Sequence, residues 1–362
     1  MNSTERILIA VDCGQPDRVP IMELGIDPAI ASELARILAR EPLTDQVPAD
    51  RFRQEGVKGL DLYCLLVAEL GLDVTCTAIS RGFKRLSEGR GRDRFGTVYL
   101  FSEHGEPISI DGPIKSTGDL AEFDMVSMLD AGDLSGSLSV IDKVGKDKAH
   151  FVGISDPFRM SWLLLGKMET LLTDYILDPQ MVHGLARATT DYNMAAIDMI
   201  AGMGADGIIM NGDLAGEITT IMSPKHHREY IKPYHKEIVD HAHQHGLKII
   251  KHSDGNLWPI LDDLLEVGFD ALHPIQPQCM DIKEVKDYVD GRMCLVGNID
   301  CRDLLEIAPV EEVEATVKET IATAGPGGGY IISSSNSIHP DCKPENYIAM
   351  IRAAHKYGRY DS

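Results

Sequence analysis

The feature that most constrains this chain is an alternation that begins near residue 150. Short apolar or β-branched runs, "HFVGIS", "DGIIMNGD", "LKIIKHSD", "FDALHPIQ", "MCLVGNID" and "YIISSSNS", are separated by longer segments whose apolar residues recur at helical spacing, among them "RMSWLLLGKMETLLTDYIL" and "VEEVEATVKETIATAG". Strand followed by helix, repeated, calls for parallel strands with helical crossovers. The punctuation agrees. Ser223 before Pro224 is an N-cap and first-turn pair, and Gly246, Gly268 and Gly291 each follow a helical segment as a C-terminal cap. Two earlier runs, "RVPIMELG" and "GLDVTCTAIS", supply the strands still needed for eight. The economical closure is an α/β fold of the (β/α)₈ TIM-barrel type, because an open doubly wound sheet more often shows a glycine-rich turn after its first strand. The whole chain, 1–362, reads as one such domain, with an N-terminal extension and a hairpin and loop insertion near residues 81–120. "GPGGGY" at 325–330 precedes a strand, so its glycines read as a helix cap and turn and not as a phosphate cradle.

Composition narrows the partners. With 44% hydrophobic residues in 362, the chain can bury a substantial core. A formal charge of −21 without a basic block argues against a nucleic acid or an anionic membrane surface. There is no basic segment leading into an apolar one at the N-terminus, and no apolar run of about 18 residues, so a cytoplasmic protein is expected. Seven cysteines without CxxC spacing read as reduced thiols, mostly core filler.

In a parallel barrel, chemistry sits at the C-terminal ends of the strands. The residues there are unusually polar: Glu23, Asp156, Asn211 and Asp213, His252 and Asp254, His273 and Gln276, Asn298 and Asp300, Ser335 and Asn336. Each has an ordinary alternative. Asp254 would also serve as cap of the helix starting near Leu257, His273 and His339 as turn residues, and Asn298 and Asp300 as loop braces. The histidine-rich "HHREYIKPYHKEIVDHAHQH" reads as the solvated face of a long amphipathic helix and not as a ligand set, and "MAAIDMIAGMGADGIIM" as packing.

The order and spacing of "MSPKHHREYIKPYHKEIVDHAHQHGLKIIKHSDGN", "CLVGNID" and "YIISSSNSIHPDCKPENY" resemble the uroporphyrinogen decarboxylase superfamily, which includes cobalamin-dependent methyltransferases. The resemblance implies a TIM barrel and leaves two branches to separate. Uroporphyrinogen decarboxylases carry an arginine pair in an "RQAGR" loop after the first strand and an aspartate after the second. Here those places read "ELGIDPAI", with Glu23 and Asp27, and "VTCTAISRG". An acidic mouth would repel a polycarboxylate. The methyltransferase branch typically bears His-x-Cys and a second Cys as zinc ligands for thiol activation. Here His252 is kept, but Asp254 and Asn336 stand where the sulfur ligands would be, which implies a harder, oxygen-rich site.

Cleaving a methyl group from a heteroatom needs acid or metal assistance at the leaving atom, whereas a thiol acceptor needs a thiolate-stabilising metal. The oxygen-rich set suits the former. The sequence thus points to a methyltransferase taking a methyl from a small O- or N-methylated donor to a corrinoid supplied by a partner protein. His252, Asp254 and Asp213 are its expected catalytic residues. His252, Asp254 and Glu23 are the expected ligands of a zinc ion. Glu23, Asp156, Asn211, His273, Gln276, Asn298 and Asn336 are expected at the substrate. A decarboxylase of a smaller acid, using His252 and Asp254 as proton donors, is the alternative, and a binding paralogue without chemistry a third. Family likeness alone suggests a homodimer.

Overall fold

Each apolar run of the second half becomes a strand in the computed structural model, which describes residues 1–44, 47–53, 57–101 and 107–360. The strands are β1 (Val74–Ala78), β2 (Lys84–Ser87), β3 (Arg90–Arg92), β4 (Val98–Leu100), β5 (Ile108–Asp111), β6 (Ala149–Ser155), β7 (Gly207–Asn211), β8 (Lys248–His252), β9 (Ala271–His273), β10 (Cys294–Ile299) and β11 (Tyr330–Ser334). Seven of them form one parallel sheet in the order β1-β6-β7-β8-β9-β10-β11, with helices between successive members. This is a TIM-barrel-like α/β fold.

The eighth position is filled, but not by a regular strand. Ile21 pairs in parallel with Ile332; the Met22 N–H donates to the Ile332 carbonyl (2.9 Å) and the Ile332 N–H to that of Pro20 (3.0 Å). On the other side Asp73, just before β1, donates its N–H to Ile21 (2.8 Å). Pro20 has no N–H, so the ladder expected over "RVPIMELG" cannot extend and shrinks to single bridges.

The interior holds a compact cluster, including Met22, Val74, Phe151, Ile209, Ile250, Val296 and Ile331, and the N-terminal helix Ser3–Val11 adds Ile7, Ala10 and Val11 to it. The extension therefore plugs the barrel's lower end. It is tied there by Arg6, which donates to Asp73 (2.7 Å), a fully buried carboxylate that also takes the Ile21 N–H (2.8 Å). The larger core lies between strands and outer helices. The glycine run after the helix Val310–Ala324 makes the turn into β11: Gly328 has φ +78°, and a Cβ there would meet the Gly14 carbonyl oxygen at 2.2 Å.

The insertion is more ordered than hairpin and loop. Strands β2 to β5 form a four-stranded antiparallel sheet, of whose last hairpin residues 102–106 lie outside the described residues. It is fastened to the barrel by Arg94, which donates both terminal nitrogens to Asp133, and by the Thr97 hydroxyl, which donates to the Leu163 carbonyl (3.0 Å). Nor is the histidine-rich segment one helix with a solvated face. It divides into Pro224–Tyr230 and Lys232–Gln244, because Pro233 cannot continue the first helix, and it buries His227 and His235 completely. Among the described residues no helix is long and apolar enough to cross a membrane.

Candidate functional site

The upper ends of β6, β7 and β8 open into a cleft of about 630 Å³, roofed by the inserted sheet and by the helix Pro157–Leu165. His252, the last residue of β8, lines it together with Asn211, Asp213 and Asn336. The loop that follows, "SDGN", is held in shape by its own polar groups. The Ser253 hydroxyl takes the Leu214 N–H (2.9 Å), and the Gly255 N–H donates to Gln276 (2.9 Å). Gly255 sits at φ +91°, where a Cβ would lie 2.6 Å from the Gly216 carbonyl, so only glycine fits. The following turn is capped by Asn256, whose side-chain oxygen accepts the Trp258 N–H (3.1 Å). Asp254 accepts instead from the Asn336 amide (2.7 Å) and donates its own N–H to Asp213 (3.0 Å).

These bonds gather His252, Asp213 and Asp254, whose ligand atoms all lie within 4.8 Å of one another. His252 Nε2 stands 3.8 Å from Asp213 Oδ1, too far for a hydrogen bond. Two ligands of one tetrahedral ion, each about 2.0–2.1 Å away, are roughly 3.4 Å apart. The donor set of one imidazole and two carboxylates thus fits a divalent cation of borderline hardness. Two other groups of this kind exist among the described residues, Asp198 with His241 and His245, and Glu306 with His339 and Asp341. Neither lines the cleft.

The state of His252 follows from its neighbours. Burial, reinforced by the charges of Lys251 and Arg159, pushes its pKa down to about 3, so the ring is neutral. Its Nδ1 lies 2.8 Å from Nδ1 of His273, which burial also holds well below the ordinary range. Behind it, Nε2 of His273 lies 3.5 Å from the Ser333 hydroxyl. One Nδ1 donates to the other, which fixes both rings and leaves Nε2 of His252 on the side of Asp213 and Asp254. His273 is therefore a positioning group behind His252, completely buried, and not a residue at the cleft surface.

Other residues expected at the site are placed elsewhere. Glu23 is buried beside Ser334, whose hydroxyl donates to it (2.7 Å), and burial lifts its pKa to about 8; it lies outside the group that could share an ion with His252. Asp156 is fully buried beneath the cleft, 2.8 Å from Lys251 Nζ and 2.8 Å from His235 Nε2, and caps the helix Pro157–Leu165 through the Phe158 N–H (2.8 Å). Gln276 supports Gly255, Asn298 donates to the Ile275 carbonyl (3.1 Å), and Asp300 accepts from the backbone of Arg302 and Asp303, all three bracing loops. His339 is a turn residue whose Nε2–H donates to the Cys301 carbonyl (2.9 Å). Asn211 lines the cleft with its amide turned to the Ile209 carbonyl (3.2 Å).

The acidic mouth read from "ELGIDPAI" is absent. Asp27 caps the helix Pro28–Leu38 through the Ala29 N–H (2.7 Å), and Glu23 is interior. Instead, the cleft carries Arg81 and Arg159 and an aromatic lining of Phe83, Phe95, Tyr99, Trp162 and Tyr192, none of which strand-end reasoning reached. The signals were present but scattered: Arg81 follows β1, Arg159 lies in the first turn after β6, and Phe83 and Tyr99 belong to the insertion.

Fold and site together define a barrel enzyme with a polar cluster at its strand ends. The sequence model of the family "Uroporphyrinogen decarboxylase (URO-D)" matches residues 93–357, and the chain belongs to that family. Relatives include the uroporphyrinogen decarboxylases of Hydrogenovibrio crunogenus, 26% identical over 285 residues (72% of this chain, 74% of that protein), and of Pseudomonas fluorescens, 28% identical over 281 residues (73% and 70%). Among solved structures, a methyltransferase from Methanosarcina mazei superposes over 99% of both chains with a TM-score of 0.74 at 20% identity, a likeness of fold.

Proposed function

We propose that this enzyme moves a methyl group from an O- or N-methylated small molecule to a corrinoid carried by a separate protein, with zinc at the strand ends. The observation that carries the reading is the convergence of His252, Asp213 and Asp254 at the strand ends, with ligand atoms all within 4.8 Å of one another. Breaking a methyl–oxygen or methyl–nitrogen bond requires that charge on the departing atom be stabilised. A cation held by His252, Asp213 and Asp254 would act there as a Lewis acid. His252 does not serve as a proton donor in this scheme, since its pKa near 3 leaves it neutral at physiological pH. His273 fixes its ring, Asn336 aims the Asp254 carboxylate, and the aromatic walls keep water from the reacting bond. The absence of sulfur from this ligand set favours activation of a heteroatom donor over a thiol acceptor. The methyltransferase from Methanosarcina mazei, similar in fold, supports the reaction class.

Elemental mass spectrometry of anaerobically purified protein is expected to find about one zinc per chain, lost in His252→Ala with little change in thermal stability. With reduced cobalamin and a panel of methyl donors, the protein should yield methylated corrinoid. Failure to retain metal on reloading, or no transfer from any donor, would sink the proposal.

A second reading is favoured by one observation. Arg81 and Arg159 would receive a substrate carboxylate, as a carboxy-lyase requires, and the relatives named above are decarboxylases. That reading predicts carbon dioxide release without corrinoid, and it needs an acid other than His252.

A further inference from the structure

We propose that His241, His245 and Asp198 form a second metal site, for a borderline divalent cation such as zinc, on the outside of the barrel at the end opposite His252. It is independent of the proposed methyl transfer and of the ion at His252, and it makes a ligand set of one part of the histidine-rich segment.

The first argument is spacing. His241 and His245 stand four residues apart, one in the last turn of the helix Lys232–Gln244 and the other at its C-cap. Residues so spaced lie one above the other on a helix face, the arrangement by which a single helix offers two imidazoles to one ion. The turn holds through the cap, since the His245 N–H donates to the carbonyls of Ala242 (3.1 Å) and His241 (3.3 Å). The two ring centres are 4.9 Å apart. His243, between them in sequence, is engaged elsewhere, with Asp270 (2.9 Å).

The second argument is convergence. Asp198 comes from the neighbouring helix Pro179–Gly202, and its Oδ1 lies 2.7 Å from His241 Nε2 and 2.9 Å from His245 Nε2. Three ligand atoms from two helices are thus gathered around one point. When each ring carries its proton on Nδ1, both Nε2 lone pairs and the carboxylate face a single cation. Ligands of one tetrahedral ion are about 3.4 Å apart, so the Asp198 contacts need to open by roughly half an ångström. Asp198 allows it, because its side chain is 56% exposed near the end of its helix. The group of Glu306, His339 and Asp341 lacks this geometry. Its one imidazole already gives Nε2 to the Cys301 carbonyl, and the two carboxylates approach different ring nitrogens, at 3.4 and 3.9 Å.

Position says what the ion would do. The two helices lead into the starts of β7 and β8, the end of a barrel that serves stability and not reaction. A cation there would clamp one helix to the other and stabilise the fold by mass action. Open to solvent, the site exchanges with the buffer, so it is read by adding zinc and not from the metal that survives purification.

Zinc titration of chelator-treated, full-length His252→Ala protein, by calorimetry and thermal unfolding, tests this with the cleft's own cluster disabled. About one zinc per chain is expected to bind and to raise the unfolding temperature by a few degrees. Adding His241→Asn or His245→Asn should weaken binding at least tenfold and remove the thermal shift, whereas His243→Asn should change neither. In the wild-type background the same two replacements should lower the zinc count by one. Undiminished binding after His241 or His245 is replaced, an equal loss from His243→Asn, or no zinc bound by the His252→Ala protein overturns the inference. Zinc bound only through His241 and His245, with none at His252, upholds it and removes the metal of the proposed reaction.

Discussion

The floor and the roof of the cleft are built on different principles. Below, His252 and its carboxylate partners sit on strand ends that are locked from beneath: Lys251 donates to the Gly212 carbonyl (2.6 Å) and pairs with Asp156, which pairs in turn with His235, all fully buried. Above, the inserted sheet offers Phe83, Leu86, Leu100, Phe101 and Ile108 to solvent and meets the barrel through a few side-chain bonds. A set of groups that must hold an ion within tenths of an ångström needs rigid support. A surface that only selects a ligand does not. The comparison teaches that, under the proposed function, reaction and selectivity would be physically separable, one set by the barrel and the other by what is inserted over it.

The floor breaks hardest at Asp156. Asp156→Ala would leave Lys251 buried without its counter-charge and His235 without its partner, at an expected cost of about 3–5 kcal/mol in urea unfolding. A surface-like cost of a few tenths would mean that the strand end is not braced from below.

Glu23 gives a pH signature from the same interior. Its folded pKa, about 8, lies above its unfolded value near 4.5, so the folded state binds the extra proton between them. Stability from this group is fully present below the unfolded value and is lost as pH rises through about 8, on the order of a few kcal/mol over that window. Glu23→Gln should flatten this fall, as followed by thermal unfolding from pH 5 to 9; an unchanged slope would assign it to other groups.

His273→Phe sharpens the division between positioning and binding. It removes the Nδ1 partner that fixes the His252 ring, and zinc affinity, measured by competition with a chromophoric chelator, should fall roughly 10–100-fold. The roof should respond least in stability. Phe83→Ala is expected to change unfolding free energy by no more than about 0.5 kcal/mol.

Much of the floor was legible because a strand must switch from apolar to polar residues where it leaves the barrel, and "IIKHSDGN" shows that switch within the run itself. The alternation likewise announced the parallel sheet, and Ser223 before Pro224 the start of a helix, whose cap the His226 N–H completes (3.2 Å). These are local signals, carried by neighbours a few residues apart.

Burial and pairing were decided only in three dimensions. Asp156 and His235 are far apart in sequence, and nothing local separates a carboxylate that faces a cleft from one that neutralises a lysine behind it. Glu23 looked like a mouth residue because it ends an apolar run, but the short bridge at Pro20 and Ile21 turns it inward toward Ser334. The arginines and aromatic rings of the cleft come from three separate segments, and the fold alone brings them over His252. Periodicity is a property of adjacent residues and survives in the sequence, whereas a binding surface is made by long-range closure and exists only once the barrel and its inserted sheet have come together.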